Sequence, residues 1–177
     1  MPYRLLALDL DGTLLRRDHT VDPRDRDAIR ELQASGVTVT IVTGRLQSGA
    51  MGAATACDIT GAIGCMEGSH LVELATNTTL AHHPMSGDTL AVLRSAIVDH
   101  ELAGFVFDAQ GIHHDRLGEP YAPYVSTWSP NVRVVEEHHL AWETTPLAAV
   151  AVGDADAVAA ALAKIRATGG LFSVSFA

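Results

Sequence analysis

The order of apolar segments in the first 66 residues restricts the fold more strongly than any other feature of this sequence. Three apolar runs of strand length alternate with two helical patterns. The strand runs are 3–8, 37–42 and 61–66. The first helix is predicted to begin at Asp22-Pro23, a capping aspartate followed by proline, and to end at Gly36; a second helix is predicted at about 46–56. This β-α-β-α-β order predicts an α/β fold with a doubly wound parallel sheet, whose strands are buried on both faces.

The pattern changes from about residue 69. A hairpin is predicted first, followed by short strands, the last at 171–176, and by helices at about 86–100 and 154–167. Short strands mixed with helices are typical of an α+β module. We therefore predict two domains, an amino-terminal core at residues 1–81 and a second module at residues 82–177.

Composition limits the classes of partner and compartment. The net charge is −9, and Lys164 is the only lysine beside eleven arginines, which argues against nucleic acid or an anionic membrane as the main partner. No apolar stretch approaches the roughly 20 residues that cross a bilayer. The two cysteines, Cys57 and Cys65, form no CxxC motif and no disulfide framework, so a reducing compartment is expected. These features predict a soluble, cytoplasmic protein.

Asp9 and Asp11 interrupt the first apolar run where the strand is predicted to end. An unpaired buried carboxylate costs several kcal/mol of folding free energy or takes up a proton, so these charges are expected to meet a ligand. Ligands of open parallel sheets bind beyond the carboxyl ends of the strands. Asp9, Asp11 and Thr43, which follows the second strand, are therefore expected at one binding edge.

These residue types suit phosphoryl transfer, which needs positioning and charge neutralisation above all. Asp9 can serve as an exposed nucleophile, and Asp11 is close enough to share a metal ion or to act as general acid and base. Mg²⁺ suits such a site because it takes one or two carboxylates, waters and phosphate oxygens. The backbone N–H groups around Gly12 can hold an anion.

The segment Asp9-Leu10-Asp11-Gly12-Thr13 resembles the DxDGT motif of the haloacid dehalogenase (HAD) superfamily, and Thr43-Gly44-Arg45 resembles its second motif. The sequence is similar to the Cof-type branch (subclass IIB), which carries a C2-type cap, in three segments that precede a long α/β insert: LDLDGTLL, VTGR and GSHLVEL. The resemblance implies a HAD-like core in residues 1–81 and the cap in residues 82–177. Members of this branch are mostly Mg²⁺-dependent phosphatases of sugar phosphates and related small phosphomonoesters.

The resemblance also implies a role for each motif residue. Asp9 would attack phosphorus to form an aspartyl-phosphate. Asp11 would protonate the leaving group and then activate water, while its backbone carbonyl, with Asp9, would bind Mg²⁺. Contacts to the substrate or its phosphate would come from four residues: Gly12, Thr43, Gly44 and Arg45.

Some features depart from the family pattern. In this branch the chain passes from the cap back into the core, where it supplies a lysine and a last acidic motif. We find no counterpart of that segment here: Lys164 falls on a predicted cap helix, and Asp154 suits an ordinary helix cap. Glu67-Gly68-Ser69 stands where this branch usually has Asn-Gly-Ala. Because a hydrophobic sheet edge would be bare without the returning core, we expect this chain alone to be dimeric, unstable or part of a larger protein.

Two other functions remain open alongside the phosphohydrolase. One is a phosphosugar mutase, which shares the DxDGT motif and the second motif, and the other is a non-catalytic domain that binds phosphate or a protein partner. A calcium loop is excluded, because its sixth position would be Leu14 and its twelfth Thr20. The chain has no dinucleotide or P-loop fingerprint. Six of the nine histidines occur as adjacent pairs, which is poor spacing for metal ligands on a strand.

Overall fold

The computed structural model describes residues 3–169 and residue 173. Its α-helices are α1 (Pro23–Ala34), α2 (Gln47–Ala56), α3 (Gly87–Asp99), α4 (Ala122–Val125) and α5 (Ala155–Thr168). Its strands are β1 (Leu5–Leu8), β2 (Thr38–Ile41), β3 (Ala62–Cys65), β4 (His70–Glu73), β5 (Thr78–His82), β6 (Ala103–Phe107), β7 (Ile112–His114), β8 (Val132–Val134) and β9 (Ala148–Val152). Short 3-10 helices lie at Met66–Gly68, Arg116–Tyr121 and His138–Trp142. The α/β fold class is confirmed; the strand predicted at 171–176 falls outside the described residues except for residue 173.

The chain folds into two compact units. The first comprises the residues up to His83 together with Trp128–Pro130, and the second comprises Pro84–Thr127 and the residues from Asn131 onward. No sequence signal assigns Trp128–Pro130 to the first unit. This short segment reaches α2 through main-chain and side-chain hydrogen bonds, described below.

The sheet of the first unit is parallel where the candidate site lies. Strands β1 and β2 pair in parallel from Leu5↔Thr38 to Leu8↔Ile41. A parallel bridge between Val42 and Gly64 places β3 beside β2. Strands β4 and β5 then extend the sheet in antiparallel fashion. The carboxyl ends of β1, β2 and β3 therefore point to the same edge.

Within the described residues, helices cover one face of β1 and β2. Both connections, β1-α1-β2 and β2-α2-β3, step across the sheet in the same direction, and right-handed crossovers then place α1 and α2 on the same face. That face holds a cluster including Leu6, Val39 and Ile41. On the opposite face Leu5 is 59% exposed, and Val42, which lies just beyond β2, is 45% exposed. The prediction of strands buried on both faces is therefore wrong for β1 and β2.

The ends of α1 and α5 follow the local sequence signals. The Asp22 side chain accepts a hydrogen bond from the Arg24 amide at 2.8 Å, and Pro23 occupies the first turn, as predicted. Gly36 adopts a φ of 86° just beyond the carboxyl end of α1, where a side chain would be strained. Asp154 caps α5 by accepting from the amides of two residues in its first turn. These contacts confirm both predicted caps.

The second unit contains a four-stranded sheet in the order β8-β7-β6-β9. Strand β6 pairs in antiparallel fashion with β7 and β9, whereas β7 and β8 are parallel. Helices α3 and α5 contribute Leu93, Ile97 and Ile165 to its core. Lys164 lies on α5, as predicted, and its Nζ is 2.5 Å from Asp99. No helix within residues 3–169 has the length and apolar character needed to cross a membrane.

Candidate active site

Asp9 stands on a tight turn that begins directly after β1. Leu10 is fully buried, and its carbonyl accepts hydrogen bonds from the amides of Thr13 (3.3 Å) and Leu15 (2.8 Å). Gly12 adopts a φ of 75°, a conformation that glycine tolerates best. The Asp9 side chain is exposed and accepts a hydrogen bond from the Thr13 hydroxyl at 3.2 Å. The turn therefore presents an accessible carboxylate on a base anchored in the core.

Thr43 lies beyond the end of β2, on the strand next to β1. It is 2% exposed, its amide donates to the Gly64 carbonyl at 2.9 Å, and its hydroxyl oxygen accepts from the Arg45 amide at 3.2 Å. An ideal Cβ on Gly44 would lie 2.7 Å from Glu67 Oε1. The second motif is therefore held by β3 and by the loop that follows it.

Arg45 is turned towards Asp11 and is almost fully buried. Its Nε donates to one carboxylate oxygen of Asp11 at 2.8 Å, and its Nη2 donates to the other at 2.5 Å. Arg45 is 6% exposed, whereas the Asp11 side chain is half-exposed. These hydrogen bonds, together with the positive charge, hold the pKa of the Asp11 carboxyl below its usual range, although partial burial opposes the shift. Asp11 is therefore ionised and oriented at neutral pH.

A turn at residues 16–20 completes the surroundings of Arg45. The Arg16 amide donates to the Thr20 carbonyl at 2.9 Å, and Leu15 bridges Val21 in antiparallel fashion. His19, in this turn, places its Nδ1 3.2 Å from Arg45 Nη2. The sequence prediction did not include His19, because no local pattern links it to an arginine 26 positions away.

The loop after β3 is tied to the second motif. The Met66 amide donates to the Arg45 carbonyl at 3.1 Å, and the Glu67 amide donates to the Thr43 carbonyl at 3.3 Å. Met66 and Glu67 both have positive φ, 49° and 53°, which is uncommon for residues other than glycine. This loop brings the exposed Glu67 carboxylate to the edge already occupied by Asp9 and Thr43.

The donor set at this edge suits a hard cation with few protein ligands. Residues 3–169 contain no group of three or more His, Cys, Asp or Glu side chains that could hold a metal ion. Arg45 donates to both Asp11 carboxylate oxygens, which leaves the exposed carboxylates of Asp9 and Glu67 and main-chain carbonyls as oxygen donors at this edge. Mg²⁺ takes oxygen ligands and keeps several waters, so one carboxylate and a carbonyl are a fitting partial set.

Cys65 and two of the paired histidines, His113 and His138, have surroundings that account for them without a role in the site. Burial raises the pKa of the Cys65 thiol to about 11, so it stays a thiol at neutral pH. In the second unit, His113 Nε2 lies 3.0 Å from Asp108, and His138 Nδ1 lies 3.0 Å from Asp115. These pairs stabilise the fold of the second unit locally.

Comparison with known proteins assigns the family. A family model of haloacid dehalogenase-like hydrolases matches residues 6–174. An HMP-PP phosphatase of Yersinia pestis (strain Pestoides F) is 51% identical over 43 residues, which are 24% of this chain and 16% of that protein. The chain therefore aligns with a small part of that relative.

Solved structures share the fold over most of this chain. A haloacid dehalogenase-like hydrolase from Bacteroides thetaiotaomicron has a TM-score of 0.79 at 21% identity, and the match covers 92% of this chain and 63% of that chain. A HAD subclass IIB sugar phosphatase has a TM-score of 0.74 at 12% identity, with coverage of 92% and 63%. A HAD/COF-like hydrolase from Plasmodium vivax has a TM-score of 0.77 at 20% identity, with coverage of 94% and 62%. Because the family model spans nearly all of this sequence and solved HAD proteins share its fold, the chain belongs to the haloacid dehalogenase-like hydrolases.

Proposed function

We propose that this chain carries the nucleophile-bearing part of a Mg²⁺-dependent phosphohydrolase that acts on a small phosphomonoester, such as a sugar phosphate. The observation that carries the proposal is the exposed Asp9 carboxylate on an anchored turn, next to an Asp11 that Arg45 orients. The names of the similar proteins, an HMP-PP phosphatase and a sugar phosphatase, support a phosphorylated metabolite as substrate. A cytoplasmic location and a homodimer belong to the same proposal.

In the proposed reaction, an Asp9 oxygen attacks phosphorus while the bond from phosphorus to the leaving oxygen breaks. This step forms an aspartyl-phosphate, and Asp11 gives a proton to the leaving oxygen. Asp11 then takes a proton from a water molecule, which attacks the aspartyl-phosphate. Phosphate leaves, and the free Asp9 carboxylate is restored.

The contact with Arg45 favours one half of this cycle. An ionised, oriented Asp11 is ready to accept a proton from water in the second step. The first step needs a protonated Asp11, and the lowered pKa makes that form scarce at neutral pH. Arg45 would therefore have to loosen its hold while Asp11 donates, so it controls both states of the acid-base residue.

The transferring phosphoryl group would meet donors from both strand ends. The Thr43 hydroxyl proton and the backbone N–H groups of the turn around Gly12 would hold its oxygens, with Gly44 allowing close approach. The Asp9 carboxylate and the Asp11 backbone carbonyl would hold Mg²⁺. When bound, that ion supplies charge neutralisation for the phosphoryl oxygens.

Release of phosphate from an aryl phosphate, with and without Mg²⁺, tests the proposal. We expect activity in the unmodified chain, its loss in the Asp9→Asn variant, and full activity in the Asp25→Asn variant. Asp25 is the matched control, because it is also an exposed carboxylate but lies in the first turn of α1. Equal activity of the Asp9→Asn variant and the unmodified chain would contradict the proposed nucleophile. A folded chain without turnover would instead favour the non-catalytic phosphate- or partner-binding domain.

A further inference from the structure

The guanidinium group of Arg45 is held from three sides by residues of the first unit. Two of its N–H groups reach the Asp11 carboxylate, and Nη1 donates to the Gly49 carbonyl at 3.4 Å. A further Nη2 hydrogen faces His19 Nδ1 at 3.2 Å. Four of the five N–H donors of Arg45 are therefore occupied.

The contact fixes which ring nitrogen of His19 faces Arg45. Arginine can only donate hydrogen bonds, so Nδ1 of His19 must offer its lone pair. His19 acts as a hydrogen-bond acceptor towards Arg45, on the side of the guanidinium that Asp11 and Gly49 leave open.

The turn at residues 16–20 is built to place this imidazole. His19 adopts a φ of 61°, a left-handed conformation that costs energy in residues other than glycine. Asp18 stabilises the turn by accepting hydrogen bonds from the amide (3.1 Å) and the hydroxyl (2.7 Å) of Thr20. The His19 amide donates to the Arg16 carbonyl at 2.9 Å. The residue with the strained backbone, His19, is therefore the one whose side chain contacts Arg45.

We infer that His19 is a positioning residue: its Nδ1 accepts from Arg45 and fixes the guanidinium plane, which in turn fixes the orientation of Asp11. The kinetic consequence of this inference rests on the proposed phosphohydrolase function. Without the acceptor, one Nη2 hydrogen of Arg45 loses its partner and Asp11 gains freedom. The acid-base steps should slow while substrate binding is little changed.

Two variants of the whole chain separate this role from a structural one. Glycine and asparagine both tolerate the left-handed backbone of residue 19, so neither adds strain. Asparagine offers an Oδ1 acceptor in place of Nδ1, whereas glycine offers none. For His19→Gly we expect kcat to fall about tenfold, the effect of losing one hydrogen bond to a charged group, with KM within about twofold. For His19→Asn we expect kcat within about twofold of the unmodified chain.

A second readout does not depend on turnover. Hydrogen exchange of the Arg45 side-chain N–H groups, followed by NMR, should be faster in His19→Gly than in the unmodified chain or in His19→Asn. Equal exchange in the two variants, or an equal kcat in two variants that both turn over, would overturn the role of His19. If exchange separates the variants but no form of the chain releases phosphate, the proposed function fails while the contact between His19 and Arg45 stands.

Discussion

Two glycines of α2 meet different surroundings, so the same substitution should have opposite effects. An ideal Cβ on Gly49 would lie 2.2 Å from the carbonyl oxygen and 2.8 Å from the carbonyl carbon of Trp128. An ideal Cβ on Gly52, in the same helix, meets nothing within 4 Å. The pair Gly49→Ala and Gly52→Ala therefore tests whether the Trp128–Pro130 segment lies against α2.

The local contacts determine how much each substitution changes the free energy of unfolding. Replacing a helical glycine by alanine gains about 0.8–1 kcal/mol of helix propensity, and for Gly52 that gain should appear in full. At Gly49 the Trp128 main chain must move from 2.2 Å to beyond 3.0 Å. That shift disturbs the hydrogen bond from the Leu46 amide to the Trp128 carbonyl (3.1 Å) and the one between the Ser48 and Ser129 hydroxyls (2.8 Å). Loss of two hydrogen bonds at about 1 kcal/mol each and overpacking of ~1–3 kcal/mol, less the gain in helix propensity, leave a net loss of about 2–4 kcal/mol.

Urea unfolding of the whole chain, followed by tryptophan fluorescence and circular dichroism, measures both changes. We expect the unfolding midpoint to fall for Gly49→Ala and to rise slightly for Gly52→Ala, with similar slopes. If Gly49→Ala is as stable as Gly52→Ala, the segment does not lie against α2 in solution and the reasoning fails.

Further expectations concern the ion pair at the site, the cap of α1 and the state of association. Because Arg45 lowers the pKa of Asp11, the stability that this pair contributes is present above about pH 4 and is lost as pH falls through the lowered pKa. Arg45→Met should therefore destabilise the chain more at pH 7 than at pH 3, as measured by urea unfolding; an equal loss at both values would contradict the pairing. Asp22→Ala should lower the free energy of unfolding by about 1 kcal/mol through loss of the α1 cap, and calorimetry that finds no change would count against that cap. Sedimentation should show dimers, because Leu5 and Val42 leave an apolar face exposed, whereas a stable monomer at all concentrations would contradict this expectation.

Local signals made the secondary structure of the first unit predictable. Asp22, Pro23 and Gly36 mark the ends of α1 by mechanisms that act within a few residues. The burial of β1 was not predictable in the same way. Its apolar run reads the same whether helices cover one face or two, and coverage depends on elements far along the chain. The contact of Trp128–Pro130 with α2 is hidden for the same reason.

The candidate site likewise contains residues that the sequence could place and side-chain contacts that it could not. The sequence places Asp9, Asp11 and Thr43 at the ends of neighbouring strands, because strand ends and turn glycines leave clear patterns. The partner of Asp11 is a matter of side-chain packing. Arg45 resembles a substrate-orienting residue in the sequence, yet its guanidinium faces the Asp11 carboxylate. His19 reaches Arg45 only because it lies in a turn with a left-handed backbone conformation, which no sequence pattern predicts.

If Asp9 is the nucleophile, its carboxylate becomes phosphorylated during turnover, and chemical trapping of that aspartyl-phosphate is the most direct test. The Asp11→Asn variant should slow hydrolysis of the aspartyl-phosphate, so that rapid quenching with a labelled aryl phosphate and Mg²⁺ retains the label on the protein. Peptide mass spectrometry is expected to find the phosphoryl group on Asp9 and to find none when Asp9 is also replaced by asparagine. Label on another residue, or a folded protein that never acquires label at Asp9, would contradict the account.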